Sequence, residues 1–175
     1  MEMTGTRRIA ADRATVWAAL NDAEVLKAAI PGCQELTGDP ASGFEAVVKQ
    51  KVGPVSATFE GRVALSNVVA GRSCTISGEG RGGAAGFAKG AADVALEEIG
   101  DGTELSYTVR ANVGGKLAQL GSRLIDGFAR RMADQFFENF QAAVEEPAGT
   151  VAEEEAPAAG GGKSAGWFRR LVGKG

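Results

Sequence analysis

Few residues in this chain are equipped for chemistry. There is no histidine, which removes the commonest general base near neutral pH and the commonest metal ligand. The two cysteines, Cys33 and Cys74, lie far apart without a CxxC spacing. They imply no metal site and read as buried thiols in a reducing compartment. The single tyrosine, Tyr107, can donate a hydrogen bond to a carbonyl, or serve as an ordinary core residue. The pair Arg130-Arg131 can meet an acidic partner, or stand as solvated helix charges with Asp126 and Asp134 as i,i+4 neighbours. Inward strand positions carry no clustered carboxylates. The pattern is that of a binding protein and not of an enzyme.

The elements around these residues are more telling. In the stretch Val113 to Glu146, Leu117, Leu120, Leu124, Phe128, Met132, Phe136 and Phe140 recur every three or four positions. That spacing predicts one long amphipathic helix. Such a helix needs a large apolar surface to lie on, and the preceding hundred residues read as strands that supply it. Asp12 and Asp22 cap two short helices, RATVWAALND and AEVLKAAI, the second stopped by Pro31-Gly32. Phe44 to Val52 and Val55 to Leu65 alternate apolar and polar residues, with Gly53-Pro54 as the turn between them. Shorter strands are marked by Cys74 and Ile76, by Gly90 to Leu96, and by Leu105 to Ala111 after an Asp101-Gly102 hairpin signal. Strand, two short helices, about six antiparallel strands and a long helix make an α+β plan.

Inward strand residues are small: Ala46, Ala57, Gly61, Gly90, Ala92 and Ala111. A sheet packed tightly on a helix needs larger side chains to reach native density. Two readings stand: an apolar cavity between sheet and helix, or helix phenylalanines that fill the gap. The glycine density between Gly78 and Gly102 likewise fits either sharply bent strands or a compositional bias toward small residues.

Net charge of -3 argues against nucleic-acid binding. No apolar run is long enough to span a membrane, and the N-terminal residues lack a signal-peptide core, so a cytoplasmic location is expected. From Pro147 the periodicity stops. The chain divides into a domain at 1–146, a linker at 147–165 expected to be disordered, and a short amphipathic tail at 166–175. In the tail, Trp167, Phe168, Leu171 and Val172 form an apolar face beside Arg169, Arg170 and Lys174, a pattern suited to an anionic membrane surface. Docking in a protein groove and a frayed tail with no role are the alternatives.

Three stretches carry a resemblance: LKAAIPGCQEL at Leu26 to Leu36, YTVRANVGGKLAQLGSRLIDGFARRMADQFFENF at Tyr107 to Phe140, and the linker with its aromatic-basic tail. With them the chain resembles the CoxG family, named for the CoxG subunit of carbon monoxide dehydrogenase, in the polyketide cyclase/START/Bet v 1-like (SRPBCC) superfamily. The resemblance implies a helix-grip fold, a curved antiparallel sheet around a long C-terminal helix with an apolar cavity. It also implies a non-catalytic role beside a molybdenum-containing carbon monoxide dehydrogenase, or a related molybdenum hydroxylase, recruited to the cytoplasmic membrane from its inner face. It supplies no catalytic residue.

A soluble dehydrogenase that feeds the respiratory chain needs an acceptor, and an isoprenoid quinone (menaquinone or ubiquinone) is insoluble in water. The cavity is therefore expected to hold such a quinone, with no covalent cofactor and no metal. The expected lining is Phe44, Val48, Phe59, Val63, Ile76, Val94, Tyr107 and Val109 from strands, and Leu117, Leu120, Leu124, Phe128 and Met132 from the helix. The rival expectations are a ligand-free membrane tether and an assembly chaperone.

Overall fold

The computed structural model describes residues Met1–Glu145. The linker and the amphipathic tail lie outside the described residues. The chain begins with β1 (Glu2–Ile9), followed by two short helices, α1 (Arg13–Leu20) and α2 (Ala23–Ala29). Asp12 and Asp22 cap them as the sequence predicts, accepting the backbone N–H groups of Thr15 and Glu24, each at 2.8 Å. Six strands follow: β2 (Cys33–Asp39), β3 (Gly43–Val52), β4 (Val55–Val69), β5 (Ser73–Arg81), β6 (Phe87–Ile99) and β7 (Gly102–Gly114). All seven strands form one antiparallel sheet in the order β1-β7-β6-β5-β4-β3-β2. The chain order is thus kept across the sheet except that β1 joins β7, leaving β1 and β2 as the edges.

β2 has no alternating apolar pattern, being mostly exposed with the sequence CQELTGD, and it holds its place by pairing with β3. The hairpin expected at Asp101-Gly102 turns one residue earlier. Gly102 already pairs with Ile99, and Gly100 takes the turn with φ +52°.

The long helix is shorter than its apolar spacing suggests, and this is a correction. Strand β7 runs on to Gly114, a 3-10 helix covers Gly115–Leu120, and only then does α3 (Ser122–Glu145) begin. Three glycines explain the break. Gly115 and Gly121 hold φ +72° and +89°, where an L side chain is strained. A Cβ at Gly115 would also come within 2.6 Å of the Gly86 Cα, so the backbones of these two loops touch. Gly114 in turn leaves room for the Phe87 ring beside it. The remaining α3 has 24 residues, about 36 Å at 1.5 Å per residue.

One side of the space between sheet and α3 is filled. Ile9, Val16, Ala29, Leu96, Leu105, Phe137 and Phe140 form the core there, with Cys74, Val94 and Tyr107 at its margin. Thr103, fully buried, donates its hydroxyl to the Ala11 carbonyl at 2.7 Å, so its hydroxyl is not orphaned at that end.

Candidate functional site

Beyond Tyr107 and Phe137 the packing stops, and a cavity of about 910 Å³ takes its place. Strands β3 to β7 give it one wall; of the small residues expected to face inward, Ala92 and Ala111 line it, joined by Gly80 and Ala88, while Ala46, Ala57, Gly61 and Gly90 do not. The α3 wall is Ile125, Phe128, Ala129, Met132, Ala133 and Phe136, a helical repeat set by 3.6 residues per turn. Leu20 of α1 and Leu26, Ile30 and Pro31 after it close a third side.

Ten of the thirteen residues expected to line a cavity do so: Phe44, Val48, Phe59, Ile76, Val94, Tyr107, Val109, Leu117, Phe128 and Met132. Val63, Leu120 and Leu124 do not. Val63 shares the concave face but stands directly opposite the larger Phe44, which does line the space. Leu120 and Leu124 are displaced by the break at Gly121, which shifts the helical phase on either side of it. Leu124 instead packs over the β3–β4 turn, with its Cδ1 3.1 Å from where a Gly53 Cβ would lie. Residues that the periodicity did not single out include Met1, Met3, Ile125 and Phe137. Phe137 follows Phe136 directly, and its only signal is the i,i+3 and i,i+4 spacing from Ala133 and Phe140.

Polar groups at the cavity are few, and three of them are occupied. Asn21 donates to the Trp17 carbonyl at 2.8 Å, and Gln50 donates to the Pro31 carbonyl at 2.5 Å. The Met1 ammonium donates to the Ala111 carbonyl at 3.0 Å. Asp126 is the one carboxylate in the lining. Burial pushes the Cys74 thiol above its ordinary range, so it is a poor nucleophile at neutral pH. Among the described residues no group of His, Cys, Asp and Glu is arranged to hold a metal ion.

Tyr107 is buried, with its ring stacked on Phe137 at 5.2 Å between centroids. Its hydroxyl lies against Gly5 of the edge strand, two residues from Arg7, whose charged form it helps to hold. Arg7 is paired with Asp134 of α3 and lies 5.2 Å above the Phe137 ring. The Asp134 carboxylate above all holds the Arg7 guanidinium in its charged form. The tyrosine is therefore the junction between the filled side and the empty one. Arg130 and Arg131 are exposed, and Asp134 pairs with Arg7 of β1 instead of with Arg130.

Residues 5–145 match the family model for the CoxG subunit of carbon monoxide dehydrogenase. No match emerges among curated proteins. Among solved structures, a conserved protein from Geobacillus kaustophilus is 25% identical with a TM-score of 0.77, covering 83% of this chain and 95% of that one. A START superfamily protein from Mycobacterium smegmatis is 16% identical with a TM-score of 0.62, covering 82% and 97%. Ara h 8.0201 is 11% identical with a TM-score of 0.58, covering 83% and 97%. The architecture is the helix-grip of START and Bet v 1-like proteins.

Proposed function

Because the chain belongs to the CoxG family of carbon monoxide dehydrogenase subunits, we propose that it is a non-catalytic accessory protein that brings a molybdenum-containing carbon monoxide dehydrogenase to the cytoplasmic membrane and holds an isoprenoid quinone for it. The observation that carries the ligand is the apolar cavity of about 910 Å³ under α3. Its size is near the top of the range of about 300–1,000 Å³ for small-molecule sites. An isoprenoid chain gains about 0.8 kcal/mol per buried CH₂, and the Phe, Val, Leu and Met lining has few polar groups in need of partners. Such a site competes with a bilayer for the enclosed part of the ligand. The quinone would accept the electrons of carbon monoxide oxidation and carry them to the respiratory chain.

The membrane part of the proposal rests on the sequence of the tail. Trp167, Phe168, Leu171 and Val172 beside Arg169, Arg170 and Lys174 suit weak, reversible attachment at an anionic interface. No helix among the described residues is long and apolar enough to cross a membrane.

The ligand is tested by purifying the protein gently from its own membranes, extracting it with organic solvent and measuring the extract by mass spectrometry. Stoichiometric menaquinone or ubiquinone is expected. An empty cavity overturns the ligand and leaves the tether. The attachment is tested by deleting 166–175 and following the protein between membrane and soluble fractions. Unchanged membrane association overturns the tail's role.

A further inference from the structure

Four residues that line the cavity are exposed: Asn112, Ala118, Gly121 and Ser122. All belong to the 3-10 helix Gly115–Leu120 or flank it, so the cavity opens at that end of the sheet. Three segments build this end. They are residues 46–59 around the β3–β4 turn, 80–92 around the turn into β6, and 111–125 through the 3-10 helix into α3. The Phe87↔Gly114 register pair joins the second to the third, and Leu124 packed over Gly53 joins the third to the first.

Together these segments carry Lys49, Lys51, Arg81, Lys89, Lys116 and Arg123, all exposed; the acids next to them are Glu60, the register partner of Arg81, Glu79, Asp93 and Asp126 of the cavity lining, so bases outnumber acids here. Arg81 is paired with Glu79; the other five have no ion-pair partner among the described residues. The opposite end of the sheet reverses the sign. Residues 35–45 and 96–104, which hold the Asp39–Gly43 and Ile99–Gly102 hairpin ends, carry seven acids, which outnumber Arg8, Arg13 and Arg72 at the same end. The domain of an acidic protein thus presents a basic rim around the mouth of its apolar cavity. Phe87, 40% exposed, sits on that rim.

We propose that this rim is the domain's own docking face for an anionic phospholipid bilayer, so that the cavity mouth meets the membrane directly. Charge favours this end of the sheet over the opposite one, because an anionic surface is attracted where bases outnumber acids and repelled where acids outnumber bases. An apolar ligand dissolves in the bilayer, and a mouth set against the bilayer spares it a passage through water. Each Lys or Arg near an anionic leaflet strengthens binding about fivefold, and the effect is screened by salt. The choice of a bilayer as partner rests on the cavity holding an apolar ligand, but the docking itself is measured without one. Rim and ligand can therefore fail separately.

The test uses the full chain and vesicles of mixed phosphatidylglycerol and phosphatidylcholine. Sedimentation is compared for the wild type, for Lys89→Glu/Lys116→Glu/Arg123→Glu at the rim, and for Arg8→Glu/Arg13→Glu/Arg72→Glu at the far end. The two variants change net charge equally and leave the tail intact. The rim variant is expected to bind at least about tenfold more weakly than the far-end variant. Raised salt should erase the difference, and vesicles should slow amide exchange over residues 83–90 and 114–121. Equal losses in the two variants, or none in either, overturn the proposal. Slowed exchange at the rim on adding the dehydrogenase but not vesicles also overturns it, and makes the rim a protein-docking face.

Discussion

The hydroxyl of Tyr107 lies across Gly5, its register partner on the edge strand, in the space where any other residue would place a Cβ. The ring can reach Arg7 and stack on Phe137 only because position 5 is empty. Gly5→Ala is therefore expected to lower stability by about 1–3 kcal/mol, read as a drop in Tm. Tyr107→Phe should not rescue it, since the ring Cζ is also only 2.6 Å from the added carbon. Tyr107→Leu, which withdraws the ring, should recover part of the loss. A Gly5→Ala protein as stable as the wild type would mean the ring does not occupy this space.

Two glycines in the stretch that reads as one long helix should respond with opposite signs. Gly121 meets nothing within 4 Å, so Gly121→Ala tests the backbone alone. At φ +89° and ψ 154°, a conformation that is essentially glycine's alone, the alanine should cost about 1–3 kcal/mol. Gly127 is inside α3, and its Cβ would make only an ordinary contact with Arg131 at 3.5 Å. Gly127→Ala should stabilise by about 0.8–1.0 kcal/mol. Denaturant midpoints read both. Stabilisation by both would mean that the helix runs unbroken through residue 121.

Acid should weaken the fold through three exposed aspartates. Thr15 holds the Asp12 carboxyl below its ordinary 3.8, mainly through its side chain and then its backbone N–H. Asp39 is lowered by the Ser42 N–H and hydroxyl, and Asp93 by the Thr75 hydroxyl and then Arg110. A carboxylate with a depressed folded pKa stabilises the fold above its unfolded value. That stability is lost as pH falls through the folded pKa. Tm should therefore hold above about pH 4 and fall below it. The triple Asn variant should have a lower Tm at neutral pH and a flatter acid limb. An unchanged acid limb in that variant would show that these three groups do not set it.

Filling the cavity should separate ligand from stability. Ala92 lies on the lining between Ile76 and Val109 in the register. Ala92→Leu has room to grow inward, so Tm should hold or rise while the quinone recovered by extraction falls severalfold. Full recovery of the ligand would place it elsewhere on the molecule.

Much of this plan is legible in the sequence because its signals are local. Asp12 and Asp22 cap helices through neighbours two or three residues on, and Val55 to Leu65 declares its two faces by alternation alone. β2 is silent because an exposed edge strand needs no apolar face. The break at Gly121 is hidden because Leu117, Leu120 and Leu124 keep helical spacing across it, while the opposing fact is the contact of Gly115 with Gly86, nearly thirty residues earlier. The strand side of the cavity can be read from sequence, since facing follows from the period of two. The wall from Leu26, Ile30 and Pro31 cannot, because which helix closes which side is settled by tertiary packing.

Helix α3 divides its labour along its length. Phe137 and Phe140 belong to the core, whereas Ile125, Phe128 and Ala129 face open space. Apart from Leu124 over the β3–β4 turn, the apolar side chains of its first two turns border the cavity and not the core. The N-terminal half of one helix can thus change the shape of the cavity while the C-terminal half keeps the core of the domain in place.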